Sequence, residues 1–152
     1  MIIDYQVRDI MTPEPVSISS DVVLAEAEAL FEEHDFNGIP VIDRNNRLIG
    51  FLTKLDLLKA FIFTEKAVIP DYRTIIEQSI SQVMTKKVDV VDSGTPLTRV
   101  LQKMIETRNK SFPVVEDDRI TGIVAREDIL RALRRAANGQ RPARLASSET
   151  AG

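Results

Sequence analysis

The chain contains no cysteine and only one histidine, His34. Without cysteine there is no disulfide framework, no thiolate metal site and no cysteine nucleophile. A single histidine removes most zinc sites and makes any serine triad depend on His34 alone. Glycine is scarce, at six residues, and none of them builds a phosphate-cradling loop. Apolar runs are broken by charges well short of a membrane span. The opening residues, MIIDYQVRDI, lack the basic flank and apolar stretch of a secretory signal. A cytoplasmic protein with no membrane partner is expected. Neither sign of charge dominates: the net charge is -3, which argues against a general nucleic-acid binder. What remains is 152 residues, 43% of them hydrophobic, enough for a sizeable core.

What the chain does have is a repeat. The stretch from Asn37 to Leu58, NGIPVIDRNNRLIGFLTKLDLL, returns as KSFPVVEDDRITGIVAREDIL from Lys110 to Leu130. Met11-Thr12 matches Met84-Thr85, and Pro40 matches Pro113, each at an offset of 73. Gly50 matches Gly122, and Asp56 matches Asp128, at an offset of 72. The residue lost between the proline and the glycine falls where DRNNR faces EDDR. A change of one residue belongs in a hairpin turn, so the slip argues for the hairpin as well as the repeat.

Each copy reads as strand, helix, strand, strand, helix. In copy one, a helical turn at Val7 to Met11 precedes extended chain through Val16 and Ile18. Ser20 or Asp21 caps a helix from Val22 to Glu33, whose Leu24, Ala27 and Phe31 face a core. In copy two, Thr95 caps and Pro96 takes the first helical position, with Leu97, Val100, Leu101, Met104 and Ile105 as the apolar stripe. Strands are expected at Ile39 to Ile42, Leu48 to Leu52, Phe112 to Val115 and Ile120 to Val124, covered on both faces. Closing helices run from Lys54 to Phe63 and from Arg126 to Ala137. The join, Thr64 to Ser79, reads as a loop and a short helix. After Asn138-Gly139 the sequence QRPARLASSETAG has no apolar period and is expected to be a loose tail.

The residues VRDIMT, PVSI, GIPVID and LIGFLTKLDLL closely resemble a cystathionine β-synthase (CBS) domain. ISQVMT and FPVVEDDRITGIVAREDIL resemble it again. Together they are similar to a tandem CBS pair, the Bateman module, over roughly residues 5 to 135. The resemblance implies an α+β fold of two β-α-β-β-α repeats packed sheet to sheet with pseudo-twofold symmetry. The expected partition is repeat one at 1–66, a connecting segment at 67–79, repeat two at 80–137 and a tail at 138–152. It further implies a regulatory module, not an enzyme, that holds AMP, ADP or ATP, with S-adenosylmethionine a lesser candidate, in the cleft between the repeats. A disc-like homodimer and a regulated partner protein follow from the same resemblance. No catalytic residue, metal ligand or required cofactor is expected.

The strongest ligand signal is Gly50-Phe-Leu-Thr53-Lys-Leu-Asp56, where a strand delivers the first turn of a helix. A carboxylate there can accept both ribose hydroxyls, and a threonine can bond sugar or phosphate. The same residues also spell a helix capping box, Thr53 with Asp56, and the two readings are compatible. In copy two Ala125 replaces the threonine while Asp128 remains, so a second site should be weaker, empty or differently tuned. Arg126 beside it is either a phosphate contact or a solvated first-turn residue.

The resemblance places the base against Thr12, Pro15 and Val16, with Asn37, Gly38, Ile39 and Pro40. It assigns the phosphates to the segment of the opposite copy before its proline, Arg108-Asn109-Lys110-Ser111, with Phe112 and Pro113 as further ligand-site candidates. Core strand starts are the plainer reading of the two proline-bearing stretches. The only basic concentration, Arg131, Arg134, Arg135, Arg141 and Arg144, lacks interleaved aromatics and reads as a solvated helix end. A nucleic-acid partner is accordingly disfavoured. The alternative function is a ligand-free scaffold for dimerisation, or for partner or nucleic-acid binding through the basic C-terminal end.

Overall fold

The computed structural model describes residues 4–62 and 71–145. In chain order the elements are α1 (Val7–Ile10), β1 (Thr12–Pro13), β2 (Ile18–Ser19), α2 (Leu24–Glu33), β3 (Gly38–Ile42), β4 (Leu48–Thr53), α3 (Lys54–Lys59), α4 (Tyr72–Ile76), α5 (Leu97–Thr107), β5 (Ser111–Glu116), β6 (Arg119–Ala125) and α6 (Arg126–Ala137). The fold is α+β, as expected. Two compact units form: Met1–Pro15 joins Asp89–Gly152, and Val16–Val88 makes the other. Phe63, the expected end of the third helix, and the first part of the join lie outside the described residues.

The first unit carries the sheet β1-β6-β5, antiparallel throughout. Its core gathers Val7, Leu97, Val100, Phe112, Val114 and Val124, all fully buried. The second unit carries β2-β3-β4, in which β2 runs parallel to β3 and β3 antiparallel to β4. Ala27, Ile39, Val41, Leu52 and Ile80 are its fully buried centre. The proline-bearing strands β3 and β5 are buried residue after residue along most of their length. β6 instead alternates buried and half-exposed positions, the period-two pattern of a strand with one wetter face. Among the described residues no helix is long and apolar enough to cross a membrane.

Each unit borrows the lead-in of the other repeat. The Leu97 N–H, which opens α5, donates to the Tyr5 carbonyl at 2.9 Å, and the Leu24 N–H, which opens α2, donates to the Gln78 carbonyl at 2.9 Å. Tyr5 and Gln78 are repeat equivalents, 73 residues apart. The pair Val7 N–H to Thr95 carbonyl and Ile80 N–H to Val22 carbonyl repeats the pattern, both at 2.9 Å. Backbone carbonyls thus satisfy helix-opening donors that the sequence suggested side chains would cap. Val23, with neither Ser20 nor Asp21, is the N-cap of α2, and Ser19 Oγ donates to the Asp21 carboxylate instead. Pro96, one residue later than expected, is the N-cap of α5, while Thr95 Oγ1 turns back to Asp92 at 3.3 Å. Ile105, read as core-facing, is 67% exposed on the outer edge of its helix.

The borrowed lead-ins also explain the two glycines of the repeat. A Cβ on Gly50 would stand 2.6 Å from Met84 Sδ; on Gly122 it would stand 2.5 Å from Met11 Sδ and 3.0 Å from the Thr12 carbonyl. Each glycine lets a strand and an incoming methionine approach closely.

The hairpins absorb the one-residue slip: five residues separate the paired Ile42 and Leu48, and four separate the equivalent pair Val115 and Ile120. Residues 43–47 join β3 to β4, with Asp43 Oδ1 accepting from the Asn45 and Arg47 N–H groups at 2.8 and 3.0 Å. The second hairpin turns on Asp117 and Asp118 alone, with φ of 51° and 64°. Both left-handed positions are filled by residues that tolerate but do not favour them. Asp118→Gly is expected to stabilise the protein by about 0.5 kcal/mol, read from the urea midpoint.

Residues just beyond α6 are held, contrary to the expected loose tail. Arg144 Nε lies 2.8 and 3.0 Å from the Asp9 carboxylate oxygens, its Nη2 donates to the Asp4 carbonyl at 2.6 Å, and Tyr5 Oη donates to the Gln140 carbonyl at 3.1 Å. The Asp9 side chain is buried, so this arginine neutralises a charge removed from water. Residues 146–152 lie outside the described residues.

Candidate functional site

β4 runs directly into α3, and the junction places two polar side chains at the first turn of the helix. Thr53 Oγ1 accepts from the Asp56 N–H at 3.1 Å, and Asp56 Oδ2 accepts from the Thr53 N–H at 2.9 Å. The capping box is therefore formed in full. Asp56 is only 5% exposed. Thr85, on the lead-in of the second repeat, donates its hydroxyl to both Asp56 oxygens at 3.3 Å. It is fixed there by a two-way backbone pairing with Phe51, at 2.9 and 2.8 Å. Among the described residues no lysine, arginine or histidine pairs with Asp56. A buried carboxylate with three weak-to-moderate donor contacts keeps acceptor capacity for further hydroxyl or N–H groups.

The equivalent junction from β6 to α6 differs. Asp128 Oδ2 accepts from the Ala125 N–H at 2.8 Å, but no threonine hydroxyl is present to complete the box. Its Oδ1 lies 3.4 Å from Arg131 Nη2, an ion pair within one helical turn. Burial pushes the Asp128 carboxyl above its ordinary range, against the Ala125 N–H and the Arg131 charge, which pull it down. The folded state then holds the Asp128 proton more tightly than the unfolded chain does. This contribution is present at low pH and is lost as pH rises through the folded value. Lowering pH from 7 toward 4 is therefore expected to improve wild-type stability relative to Asp128→Asn, measured by urea denaturation across that range.

The remaining sequence candidates fall into two groups. Thr12 and Pro15 belong to the first unit, with Lys110, Ser111, Phe112, Pro113, Arg126 and Asp128; Val16, Asn37, Gly38, Ile39, Pro40, Thr53 and Asp56 belong to the second. In the second unit Gly38 pairs with Thr53 and Ile39 with Leu52, so the start of β3 lies beside the end of β4 that carries the capping box. Ile39 and Pro40 are buried, so what they offer outward is backbone; Val16 is 41% exposed. In the first unit Ser111 pairs with Ala125, which brings the start of β5 beside the Asp128 junction. Ser111, Phe112 and Pro113 are buried, whereas Lys110 and Arg126 are exposed. Arg126 Nε and Nη2 donate to the Asn109 and Arg108 carbonyls at 3.2 and 2.7 Å, so its guanidinium closes the end of α5. Thr85 is the site residue that sequence reasoning missed. The Met11-Thr12 and Met84-Thr85 match contained the signal, since it marks two equivalent lead-ins.

The CBS domain family model matches this chain twice, at residues 7–62 and 80–135. Among relatives, the L-aspartate semialdehyde sulfurtransferase of Methanocaldococcus jannaschii is 30% identical over 126 residues. That match covers 82% of this chain but only 22% of the sulfurtransferase, so the chain spans about a fifth of that relative's length. Among solved structures, the CBS domain pair of protein MJ0100, in complex with 5'-methylthioadenosine and S-adenosyl-L-methionine, aligns with a TM-score of 0.70 and 28% identity. It covers 85% of this chain and 95% of that one. CBSX2 in complex with AMP aligns with a TM-score of 0.74 and 26% identity, covering 88% of this chain and 98% of that one.

Proposed function

Because this chain belongs to the CBS domain family, a family of regulatory modules, we propose that it binds an adenine nucleotide, AMP, ADP or ATP, and relays its presence to a partner protein. The carrying observation is the state of Asp56: buried, aimed by Thr53 and Thr85, and without a cation among the described residues. Such a carboxylate is suited to a pair of ribose hydroxyls. Asp128 is engaged by Arg131 and lacks the threonine, which supports a weaker or empty second site. The adenosine-type ligands of MJ0100 and CBSX2 support the same class.

Calorimetric titration with AMP, ADP, ATP and S-adenosylmethionine tests the reading. One adenine nucleotide should bind per chain. No heat at millimolar concentration of any of the four would sink it and leave Thr53 and Asp56 as a helix cap. A second reading, an assembly scaffold, is favoured by the apolar side chains Leu55, Leu58, Ile62, Ile105 and Leu130, each more than half exposed. The two are compatible, and the protein is proposed to act as a homodimer.

A further inference from the structure

Thr85 occupies the side of Asp56 that a pair of ribose hydroxyls would use. Its Oγ1 lies 3.3 Å from Oδ1 and 3.3 Å from Oδ2, so the hydroxyl sits on the plane that bisects the carboxylate. Two adjacent hydroxyls that each donate to one carboxylate oxygen straddle that same plane. The Thr53 N–H holds another position on Oδ2, at 2.9 Å. A hydroxyl bonded well to a carboxylate stands closer than 3.3 Å, so one donor shared between two oxygens is a weak contact that two stronger donors replace. Thr85 is exposed while Asp56 is buried, so the neighbour of the buried carboxylate is a residue in contact with solvent.

The other repeat supplies an internal control. Thr12 is the equivalent of Thr85 and Ile123 that of Phe51, and the backbones pair in both copies, Thr12 with Ile123 and Thr85 with Phe51. Only Thr85 adds a hydroxyl contact to an aspartate among the described residues; Asp128 takes the Arg131 guanidinium instead. The backbone pairing does not require the hydroxyl contact, which is therefore a separate feature of the Asp56 junction. Among the described residues Thr85 is also the last of its unit held by backbone hydrogen bonds. Lys86, Lys87 and Val88, which belong to no helix or strand, follow before the chain passes to the other unit at Asp89.

We propose that the Thr85 hydroxyl is a placeholder for the ribose diol. It orients Asp56 until a nucleotide displaces it, and its release loosens the segment by which the chain leaves the unit. The proposal rests on the nucleotide reading and names how that site signals. Hydroxyl is exchanged for hydroxyl, so the buried carboxylate is not left without donors. The coupling is reciprocal: binding detaches Thr85, and whatever detaches Thr85 tightens binding.

Calorimetry with AMP, ADP and ATP on the full chain and on Thr85→Val tests this, joined to amide hydrogen exchange with and without the tightest of the three. Valine keeps the branched shape and removes the donor, and circular dichroism checks the fold. With no hydroxyl to displace, Thr85→Val should bind the nucleotide about tenfold more tightly than wild type. A threonine that only props the carboxylate, or that touches the ligand itself, predicts weaker or unchanged binding. Saturating nucleotide should speed exchange of the wild-type Thr85 N–H at least about threefold, and should leave the amide at position 85 unaffected in Thr85→Val. Thr85→Ser keeps the donor and should restore both wild-type responses. A wild type that binds none of the three nucleotides overturns the nucleotide reading, and the placeholder with it. A wild type that binds, with Thr85→Val binding equally or more weakly, or with no faster exchange at Thr85, overturns the placeholder and leaves the nucleotide site standing.

Discussion

Asp56→Ala is expected to reduce affinity for an adenine nucleotide by about a hundredfold or more, while Asp128→Ala leaves the titration nearly unchanged. Two hydrogen bonds from ribose hydroxyls to a carboxylate at about 1.5 kcal/mol each account for that loss. The contrast between the two aspartates comes from their surroundings. Asp56 receives a backbone N–H and a threonine hydroxyl, both neutral, whereas Asp128 is paired with Arg131 at 3.4 Å. The alanine also removes the acceptor of the Thr53 N–H, one half of the capping box, at a cost of about 1 kcal/mol in stability. Asp56→Asn separates the two effects, since its amide oxygen can still accept from Thr53. If Asp56→Asn binds as wild type does, the carboxylate is only a cap. If affinity falls while the melting temperature holds, it is a ligand group.

Phe112→Ala is expected to destabilise the protein by about 3–5 kcal/mol, read from urea denaturation, without a matching loss of ligand affinity in the folded protein. The ring is fully buried in the core of the first unit, and Lys103 Nζ lies 5.3 Å from its centroid. Removing it opens a cavity among Leu97, Val100, Val114 and Val124, side chains held by both helices and sheet. Phe112 is one of the ligand-site candidates drawn from the family resemblance. Its burial assigns the ring to packing and leaves the backbone of β5 as the surface a ligand could meet. A variant that folds normally but loses the nucleotide would reverse that assignment.

Much of this architecture was legible from local pattern. Helical periodicity found Leu24, Ala27 and Phe31 as the buried face of α2, and the lost residue between Pro113 and Gly122 located a tighter hairpin. The Thr53–Asp56 capping box was readable because its partners are three residues apart. What escaped was non-local. Thr85 reaches Asp56 across 29 residues of sequence, and Arg144 reaches Asp9 across 135. No spacing rule connects such pairs. The helix caps were misplaced for the same reason: Ser20, Asp21 and Thr95 have the right chemistry, but carbonyls of Gln78 and Tyr5 arrive from distant chain to take the donors. Ile105 fits the apolar stripe by period, and its exposure became apparent only when α6 was in place beside it.

The exchange of lead-ins between the units has a consequence for how the protein is made. Residues up to Pro15 leave the ribosome ahead of the rest, yet they cluster with a stretch that begins at Asp89. The unit Val16–Val88 has its whole sheet, its helices and its borrowed Gln78–Thr85 segment in one continuous stretch, and can close while synthesis continues. The other unit must wait, with Tyr5 and Val7 lacking their partners Leu97 and Thr95 until that stretch emerges. Its assembly closes a loop longer than seventy residues, a step whose entropy cost grows only slowly with length. Birth order and folding order are therefore inverted across Pro15: what is translated before that residue finds its place after the unit that follows it.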